Sequence, residues 1–404
     1  MPAVSAWPSE TCSAASPEKE PRAMSQTNPQ PAVDYELQGD QMPDLHDESR
    51  RLMTICNACR YCEGFCGVFP AMMRQKTFTD QDLDYLANLC HGCNGCYYAC
   101  QYAPPHEFAV NIPQTFARLR ADTYRRYTWP SCLSGLFQKN GTLVSVLLAL
   151  GIGLLLVLVN MFNPPEVVHG EHAGNFYAVI PHNVMAWSFG GVFMYAVGVL
   201  LFGFWRFRRD TAPGKPETPL SVAGATHDAM VMKYMGGGGV GGKMDGCNYP
   251  DESFSQIRRV FHQLTFWGFL LCFAATSVAT IYHYVFGWEA PYDYTSLPVL
   301  LGTVGGIGLL IGPVGLIYLK HVADPNTQVG AQRGMDTGFL ALLFLVSLTG
   351  LALLAWRETG YMGTLLAIHL GTVLALFLTL PYGKFVHAIY RYAALLRNRR
   401  EQKS

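Results

Sequence analysis

The sequence predicts a mainly α-helical protein in which a helical, cysteine-rich N-terminal domain precedes a bundle of six transmembrane helices. Eight of the 12 cysteines in the 404-residue chain fall in two copies of one spacing near its N-terminal end. Six long apolar stretches follow them. Charged residues make up only 14% of the chain and hydrophobic residues 50%. This composition is typical of a protein that enters a membrane.

Composition divides the chain into four segments. Residues 1–34 are rich in Pro, Ser, Glu and Ala and predict a disordered tail, with no apolar run of the kind that a secretory signal has. Residues 35–130 hold the paired cysteine runs, residues 131–396 hold the six spans, and residues 397–404 form a basic tail. Basic and acidic residues balance at 29 each, so no excess positive charge points to nucleic acid.

The two cysteine runs share the spacing C-x2-C-x2-C-x3-C: Cys56, Cys59, Cys62 and Cys66, then Cys90, Cys93, Cys96 and Cys100. In two-cluster ferredoxins, three close cysteines of such a run hold three corners of a [4Fe–4S] cube, and the fourth reaches the other cube. The pattern therefore predicts one cluster on Cys56, Cys59, Cys62 and Cys100, and a second on Cys90, Cys93, Cys96 and Cys66. Zinc binding and a disulfide framework are the alternatives.

The rest of the N-terminal domain is expected to consist of helices and turns rather than strands. Residues 78–89 have helical periodicity with acids early, and a second helix is predicted through Phe116, Leu119 and Arg120. The domain is therefore interpreted as an alpha-helical two-[4Fe–4S] ferredoxin-like domain. The four other cysteines share no spacing and are interpreted as structural: Cys12, Cys132, Cys247 and Cys272. Cys247 follows a glycine-rich loop at 235–246.

Six stretches are long enough to cross a bilayer, for which about 20 residues are needed. They lie near 142–162, 184–205, 261–286, 297–319, 336–356 and 361–381. The segments that alternation places on the side of the cysteine domain carry 21 Lys plus Arg, and the loops on the other side carry 1. By the positive-inside rule, the cysteine domain and both termini are expected to face the cytoplasm.

Histidines in or beside the spans are candidate ligands of b-type haem, because an ionisable side chain at membrane depth is a functional candidate. His262 and His283 lie about 31 Å apart along the third span, and His369 and His387 about 27 Å apart if the sixth helix continues. Antiparallel packing then pairs His262 with His387 near the cytoplasm and His283 with His369 on the far side. Each bis-histidine haem needs one imidazole from each of two helices.

Two other interpretations of the histidines remain open. His262, His283 and His387 are also placed as interfacial residues at helix ends would be. His321 is a candidate quinone-site residue, or the inner haem ligand in place of His387. His182 belongs to an outer loop, where surface chemistry is expected.

The combination of motifs resembles the tricarballylate (citrate) utilization protein B family. The likeness is carried by the cysteine runs CNACRYCEGFC and CHGCNGCYYAC and by the later segments RRVFHQLTFWGFLLCF and IYHYVFGWEAPYD. It implies a bacterial inner-membrane protein that accepts electrons from an FAD-containing tricarballylate dehydrogenase. Related fusions of flavoprotein and membrane module carry haem. No G-x-G-x-x-G follows a predicted strand here, so the flavin, and the dehydrogenase chemistry, belong to a partner.

The expected function is electron transfer from that flavoprotein, through two [4Fe–4S] clusters and b-haem, to the quinone pool. Electron flow in the opposite direction, from quinol to a cytoplasmic reductase, fits the same residues. A redox-gated transporter or sensor is an alternative from another class. Such a protein would line several spans with polar residues, and these spans offer few charges.

Overall fold

The structure is a computed structural model that describes residues 44–137, 139–212, 217–236 and 246–402, apart from the side chain of Asn140. The described part is mainly helical, as predicted. The tail predicted at 1–34 and most of the glycine-rich loop lie outside the described residues.

The cysteine domain is built from five helices: α1 (Leu45–Cys59), α2 (Val68–Met73), α3 (Asp80–Leu89), α4 (Gly95–Tyr98) and α5 (Ile112–Tyr127). Their ends follow local sequence. Thr79 and Asp82 form a capping box at the start of α3, which satisfies two backbone N–H groups. Asn111 caps α5, and Pro113 stands in its first turn, where no N–H is needed. The predicted helix at 78–89 is confirmed.

The core of this domain forms where α1, α3 and α5 meet. Leu52, Leu83, Leu86, Phe116 and Leu119 are all fully buried there. These side chains recur at helical spacing on each helix, so each helix turns one apolar face inward. The cysteines lie at the ends of these helices and in the turns between them, and the packed core holds them in position.

Six helices are long and apolar enough to cross a membrane. They are α6 (Asn140–Phe162), α8 (His182–Thr211), α10 (Ile257–Phe286), α11 (Leu297–Val322), α12 (Arg333–Ala355) and α13 (Met362–Thr379). All six predicted stretches are therefore confirmed as helices of spanning length. α10 and α11 pack closely where glycines face each other. A Cβ atom on Gly268 would lie only 2.8 Å from the carbonyl oxygen of Gly305, so a larger residue would not fit there.

Two shorter helices connect long helices, α7 (Pro165–Val168) and α9 (Pro219–Met230), and a third, α14 (Val386–Glu401), follows α13. The strands β1 (Cys247–Asn248) and β2 (Phe254–Ser255) form a small antiparallel hairpin just before α10. Cys247 pairs with Ser255 in this hairpin.

The expectation that one helix runs from His369 to His387 is wrong. α13 ends at Thr379, a 3-10 turn covers Leu380–Tyr382, and α14 starts only at Val386. Pro381 explains the break, because it lacks the N–H that would continue the helical bonding.

The last helix packs on the cysteine domain. Arg397, where the sequence predicts a basic tail to begin, is 6% exposed and pairs with Asp82 of α3 at 2.6 Å. Arg74 of the domain donates to Asn398 at 2.6 Å. We call the end of the long helices nearest this domain the cluster end, and the opposite end the far end.

Candidate metal centres

The first group of thiols surrounds a cavity of about 290 Å³ at the surface of the cysteine domain. Cys56 and Cys59 stand in the last turn of α1, which ends where Arg60 adopts a left-handed conformation with φ of 56°. Chain reversal there brings Cys62 back to the cavity, and Cys100 reaches it from the turn after α4. The lining thus includes the first predicted set, Cys56, Cys59, Cys62 and Cys100, and also Cys96.

The second group lies deeper. Cys66, Cys90, Cys93 and Cys96, the second predicted set, line a cavity of about 10 Å³ together with His91. That space holds about one water molecule, so these thiols must separate to admit a four-iron cube. Cys90 ends α3 and Cys96 lies in α4. The structure therefore brings together both crossed sets that the spacing predicts. Among the described residues, no group of three or more His, Cys, Asp or Glu side chains is arranged to hold a single metal ion.

The thiols need to lose protons before they can bind metal. Burial raises the pKa of Cys56 to about 12, and the neighbouring Cys62 and Cys100 add to this effect. Burial raises the pKa of Cys62 to about 12 as well. Without a metal these thiols are neutral at pH 7, and ligation releases their protons.

A fifth thiol, Cys247, lies beside the second cavity. It is 2% exposed, and its Sγ donates to the carbonyl oxygen of Met235 at 2.9 Å. A hydrogen bond with Cys247 raises the pKa of Cys93. Sequence reasoning missed this contact because Cys247 lies 147 positions after the last cysteine of the runs, Cys100. Only the packing of the β1–β2 hairpin on the domain brings it there.

Three arginines hold the loop that carries the second cysteine run. Arg120 of α5, Arg258 of α10 and Arg391 of α14 donate to backbone carbonyl oxygens between Ala87 and Gly92. Two of them come from elements of the membrane region, so the loop is joined directly to α10 and α14. The sequence offered no signal for these contacts.

Two candidate haem ligands meet at the cluster end. The ring centres of His262 and His387 are 6.1 Å apart, with an interplanar angle of 80°. The Nδ1 atom of His387 lies 2.6 Å from the carbonyl oxygen of Lys384. A carbonyl only accepts, so Nδ1 carries the proton and Nε2 keeps its lone pair. The Nδ1 atom of His262 is buried and has no hydrogen-bond partner among the described residues.

At the far end the structure gives the predicted ligands different neighbours. His283 stacks on His182, with ring centres 3.8 Å apart, and its Nδ1 is buried without a partner in the described part of the chain. His182 is the first residue of α8, not an isolated loop residue. His369 lies against Thr349, whose Oγ1 is 3.0 Å from its Nδ1. The predicted contact of His283 with His369 is not among the contacts of either ring.

His369 is held through its Nδ1 atom. Thr349 Oγ1 lies 3.0 Å from this atom and is also within hydrogen-bond distance of the carbonyl oxygen of Leu345 at 2.8 Å. Nε2 of His369 takes no part in this hydrogen bond. Gly350 makes room for the ring, because a Cβ atom there would lie 2.9 Å from Cε1 of His369.

His321 is exposed at the C-terminal end of α11. Its Nδ1 lies 2.8 Å from the carbonyl oxygen of Ile317. The adjacent Lys320 pairs with Asp336 of α12, and Lys384 pairs with the same carboxylate at 2.8 Å. Lys320, Asp336 and Lys384 thus form a compact ionisable group at the cluster end, and His321 follows Lys320 in the sequence.

Comparison with known families covers both regions. Residues 138–404 match the family model of citrate utilization protein B, and residues 49–126 match the citrate utilization protein B Fer4-like domain. The chain belongs to the citrate utilization protein B family. Citrate utilization protein B of Escherichia coli is 52% identical to it over 350 residues, which cover 87% of this chain and 91% of the relative. The resemblance noted in the sequence is confirmed. No solved structure matches the chain.

The citrate utilization protein B family also identifies the type of the cysteine domain. Its match is to a Fer4-like domain, which supports iron–sulfur binding by the region that holds both thiol groups. The match to the C-terminal part includes all six long helices. The chain therefore joins a Fer4-like domain to six helices apolar enough to cross a membrane.

Proposed function

We propose that this protein is a membrane electron-transfer subunit that reoxidises the reduced FAD of a partner dehydrogenase and passes the electrons to quinone. Two [4Fe–4S] clusters and b-type haem would supply one-electron chemistry between the two-electron flavin and the quinone pool. The observation that carries the proposal is the order of the sites: the thiol group at the surface cavity first, the deeper thiol group next, and then the pair of histidines His262 and His387.

The thiol groups supply the four ligands that each of two cubes needs, although the deeper set would have to separate to admit its cube. A cube is held at four corners by four thiolates, and each crossed set of four cysteines lines its own cavity. The proposed ligands are Cys56, Cys59, Cys62 and Cys100 for the first cluster, and Cys90, Cys93, Cys96 and Cys66 for the second. Cys96 lines both cavities, so the two clusters would be close neighbours.

The exposed rim of the first cavity is the proposed entry point for electrons. Cys59 and Arg60 are exposed there, and Tyr61 is 66% exposed. A partner that covers this rim would bring its flavin close to the first cluster with no further rearrangement of the core. By resemblance the partner is a tricarballylate dehydrogenase, and the family name supports a role in citrate or tricarballylate utilization.

The pair of His262 and His387 fits an axial ligand pair for b-haem. Metal–imidazole bonds are about 2.0–2.1 Å long, so two rings that share one ion stand roughly 6 Å apart between centres. The hydrogen bond of His387 to a backbone carbonyl is the arrangement that orients metal-ligating histidines. A buried polar atom without a partner costs about 1–3 kcal/mol. Ligation of His262 through this Nδ1 atom would offset that cost, whereas ligation through Nε2 would leave it.

A second haem at the far end is proposed on His283 and His369. The support is that Nδ1 of His369 is held by Thr349, which leaves Nε2 for iron. Iron ligation here requires His283 to leave its stack on His182. For quinone we propose the cluster end near His321, because quinone reduction takes up protons and Lys320, Asp336 and Lys384 form an ionisable group there.

The proposed setting is the bacterial inner membrane, with residues 35–130 as the cluster domain and both termini in the cytoplasm. The bias of 21 basic residues against 1 supports this orientation. Reporter fusions after Ser404 and near Gly170 should report opposite sides. The same side for both would contradict the even number of spans.

Spectra of the purified, reduced full-length protein test the proposal. Paramagnetic resonance should detect two interacting [4Fe–4S] clusters, chemical analysis should find about eight irons in clusters per chain, and the optical spectrum should contain b-haem bands. A Cys132→Ser variant serves as the matched control, because Cys132 is exposed and lines neither cavity. Tightly bound zinc in place of iron would overturn the proposal.

A further inference from the structure

The loop between α3 and α4 is held by three guanidinium groups from three distant parts of the chain. Arg258 donates to the carbonyl oxygens of Gly92 at 2.5 Å and His91 at 3.0 Å. Arg391 donates to the carbonyl oxygen of Cys90 at 2.8 Å, and Arg120 reaches the same oxygen at 3.2 Å. The side chains that converge here are therefore all positively charged.

These charges have no acidic partners in the described part of the chain, where none of the three arginines forms an ion pair. Other arginines of α14 differ. Arg397 pairs with Asp82 at 2.6 Å, and Arg399 pairs with Asp228. Arg391 also has a buried Nε atom without a described partner. The loop is thus a half-buried, uncompensated positive site.

Such a site favours a nearby anion, since like charges in a poorly solvated setting repel one another and carbonyl oxygens offset only part of that repulsion. A cube with four thiolate ligands is an anion, and its one-electron reduction adds one more negative charge. Cations nearby stabilise the reduced form more than the oxidised form and thereby raise the reduction potential. The three arginines surround the loop that carries two ligands of the second cluster, Cys90 and Cys93.

The first cavity has a different environment. Its nearest basic residue, Arg60, is exposed, and its Nε donates to the carbonyl oxygen of Asn57. Solvent exposure also raises the reduction potential of a cluster. Water at the first cavity therefore raises the potential of the first cluster and opposes the effect of the arginines on the second. An exposed charge is screened by salt, whereas three partly buried charges are screened much less. The arginines are therefore expected to outweigh the exposure.

We propose that Arg120, Arg258 and Arg391 hold the second cluster at a higher reduction potential than the first, so that electrons run inward from the exposed rim toward the membrane helices. This inference rests on the proposed function and specifies its direction, flavin to quinone. Reduction of the second cluster takes one electron from the first, which is oxidised in the same step, and no other reactant is needed.

Two of these arginines also link the second cluster to the histidine pair. Arg258 precedes His262 by four positions on α10, and Arg391 follows His387 by four positions on α14. Residues four apart share a helix face. Each helix therefore presents an arginine to the cysteine loop and, one turn away, a histidine to the proposed haem site. The haem would be the next electron acceptor after the second cluster.

A redox titration of the purified full-length protein, followed by paramagnetic resonance, tests the proposal. The two signals are assigned with a Cys59→Ser variant, which should alter only the first cluster. In the wild-type protein the second cluster should be reduced first. Arg391→Gln and Arg258→Gln should each shift that signal to lower potential, with the first signal and the iron content unchanged.

Conservative and control variants separate charge from structure. Arg391→Lys keeps the charge and should stay near the wild-type potential, whereas an equal shift in the Lys and Gln variants would contradict the charge argument. Arg333→Gln, an exposed arginine of α12, should change neither signal. If the first cluster is reduced before the second in the wild-type protein, the proposed direction is wrong, and this result needs no variant. Absence of [4Fe–4S] signals would instead refute the proposed function.

Discussion

Arg391 donates a hydrogen bond to the carbonyl oxygen of Cys90 at 2.8 Å, although 301 positions separate the two residues. This contact joins the last helix to the loop of the second cysteine run. The same helix, α14, also carries His387. One helix therefore contacts the loop of the proposed second cluster and carries a proposed haem ligand.

Crossed ligation predicts that the fourth cysteine of each run, Cys66 or Cys100, is a ligand of the cluster held by the other run. Cys100→Ser should disturb the cluster whose other ligands are Cys56, Cys59 and Cys62, and leave the deeper one. Iron in clusters should fall from about eight toward about four per chain, because a cube that lacks one thiolate is less stable. Iron and sulfide analysis with paramagnetic resonance checks this. Loss of the deeper cluster in Cys100→Ser would show that ligation is not crossed.

Cys247 should affect the second cluster without being a ligand. Its thiol already donates to Met235, and the four cysteines of the second set complete a cube. Cys247→Ala should therefore keep about eight irons per chain and change only the spectrum or potential of the second cluster. Cys272→Ala, in the long helix α10, is the control. A loss of about four irons in the Cys247 variant would make Cys247 a ligand.

His387→Ala should remove the b-haem nearest the clusters, because one of its two axial imidazoles is lost. His321→Ala should keep full haem content, since His321 is exposed and its Nδ1 is bound to the carbonyl oxygen of Ile317. Quantitative optical spectra of the reduced proteins measure both. If His321→Ala loses haem and His387→Ala does not, the two roles are exchanged.

His369→Ala should remove the second b-haem and slow quinone reduction, while the clusters remain reducible. Thr349→Val should weaken the same haem less, by roughly 10- to 100-fold in affinity, because Thr349 orients the ligand and does not bind iron. His182→Ala is the informative comparison. If haem is intact in His369→Ala and lost in His182→Ala, the partner of His283 is His182, on which it already stacks.

Local patterns predicted most of the fold. The repeated cysteine spacing predicted which thiols share a cavity, because three of each four ligands lie within one turn of chain. Hydropathy predicted the six long helices, since length and apolar composition suffice. The same apolar signal hid the break at Pro381. It extends through the 3-10 turn, although a proline there is itself a readable stop signal.

Contacts that depend on packing between distant elements could not be predicted. Cys247 reaches Cys93 through the position of a hairpin, and Arg258 reaches Gly92 from the first turn of α10. The sequence separation of neither pair indicates that the two residues are in contact. The stack of His182 on His283 likewise requires the ends of α8 and α10 to meet, and helix periodicity specifies depth but not which neighbour a face meets.

Anaerobic quinone reduction in proteoliposomes measures electron transfer from the flavoprotein through this protein to quinone. The full-length protein is reconstituted and supplied with the partner flavoprotein, its tricarboxylate substrate and a membrane quinone. Quinol should form only when all components are present. Cys59→Ser, which lacks a ligand at the exposed cavity, should lower the rate at least tenfold, an effect of roughly 1.4 kcal/mol, whereas Cys132→Ser should match the wild type. Quinol formation at the wild-type rate in Cys59→Ser would contradict electron entry through the cysteine domain.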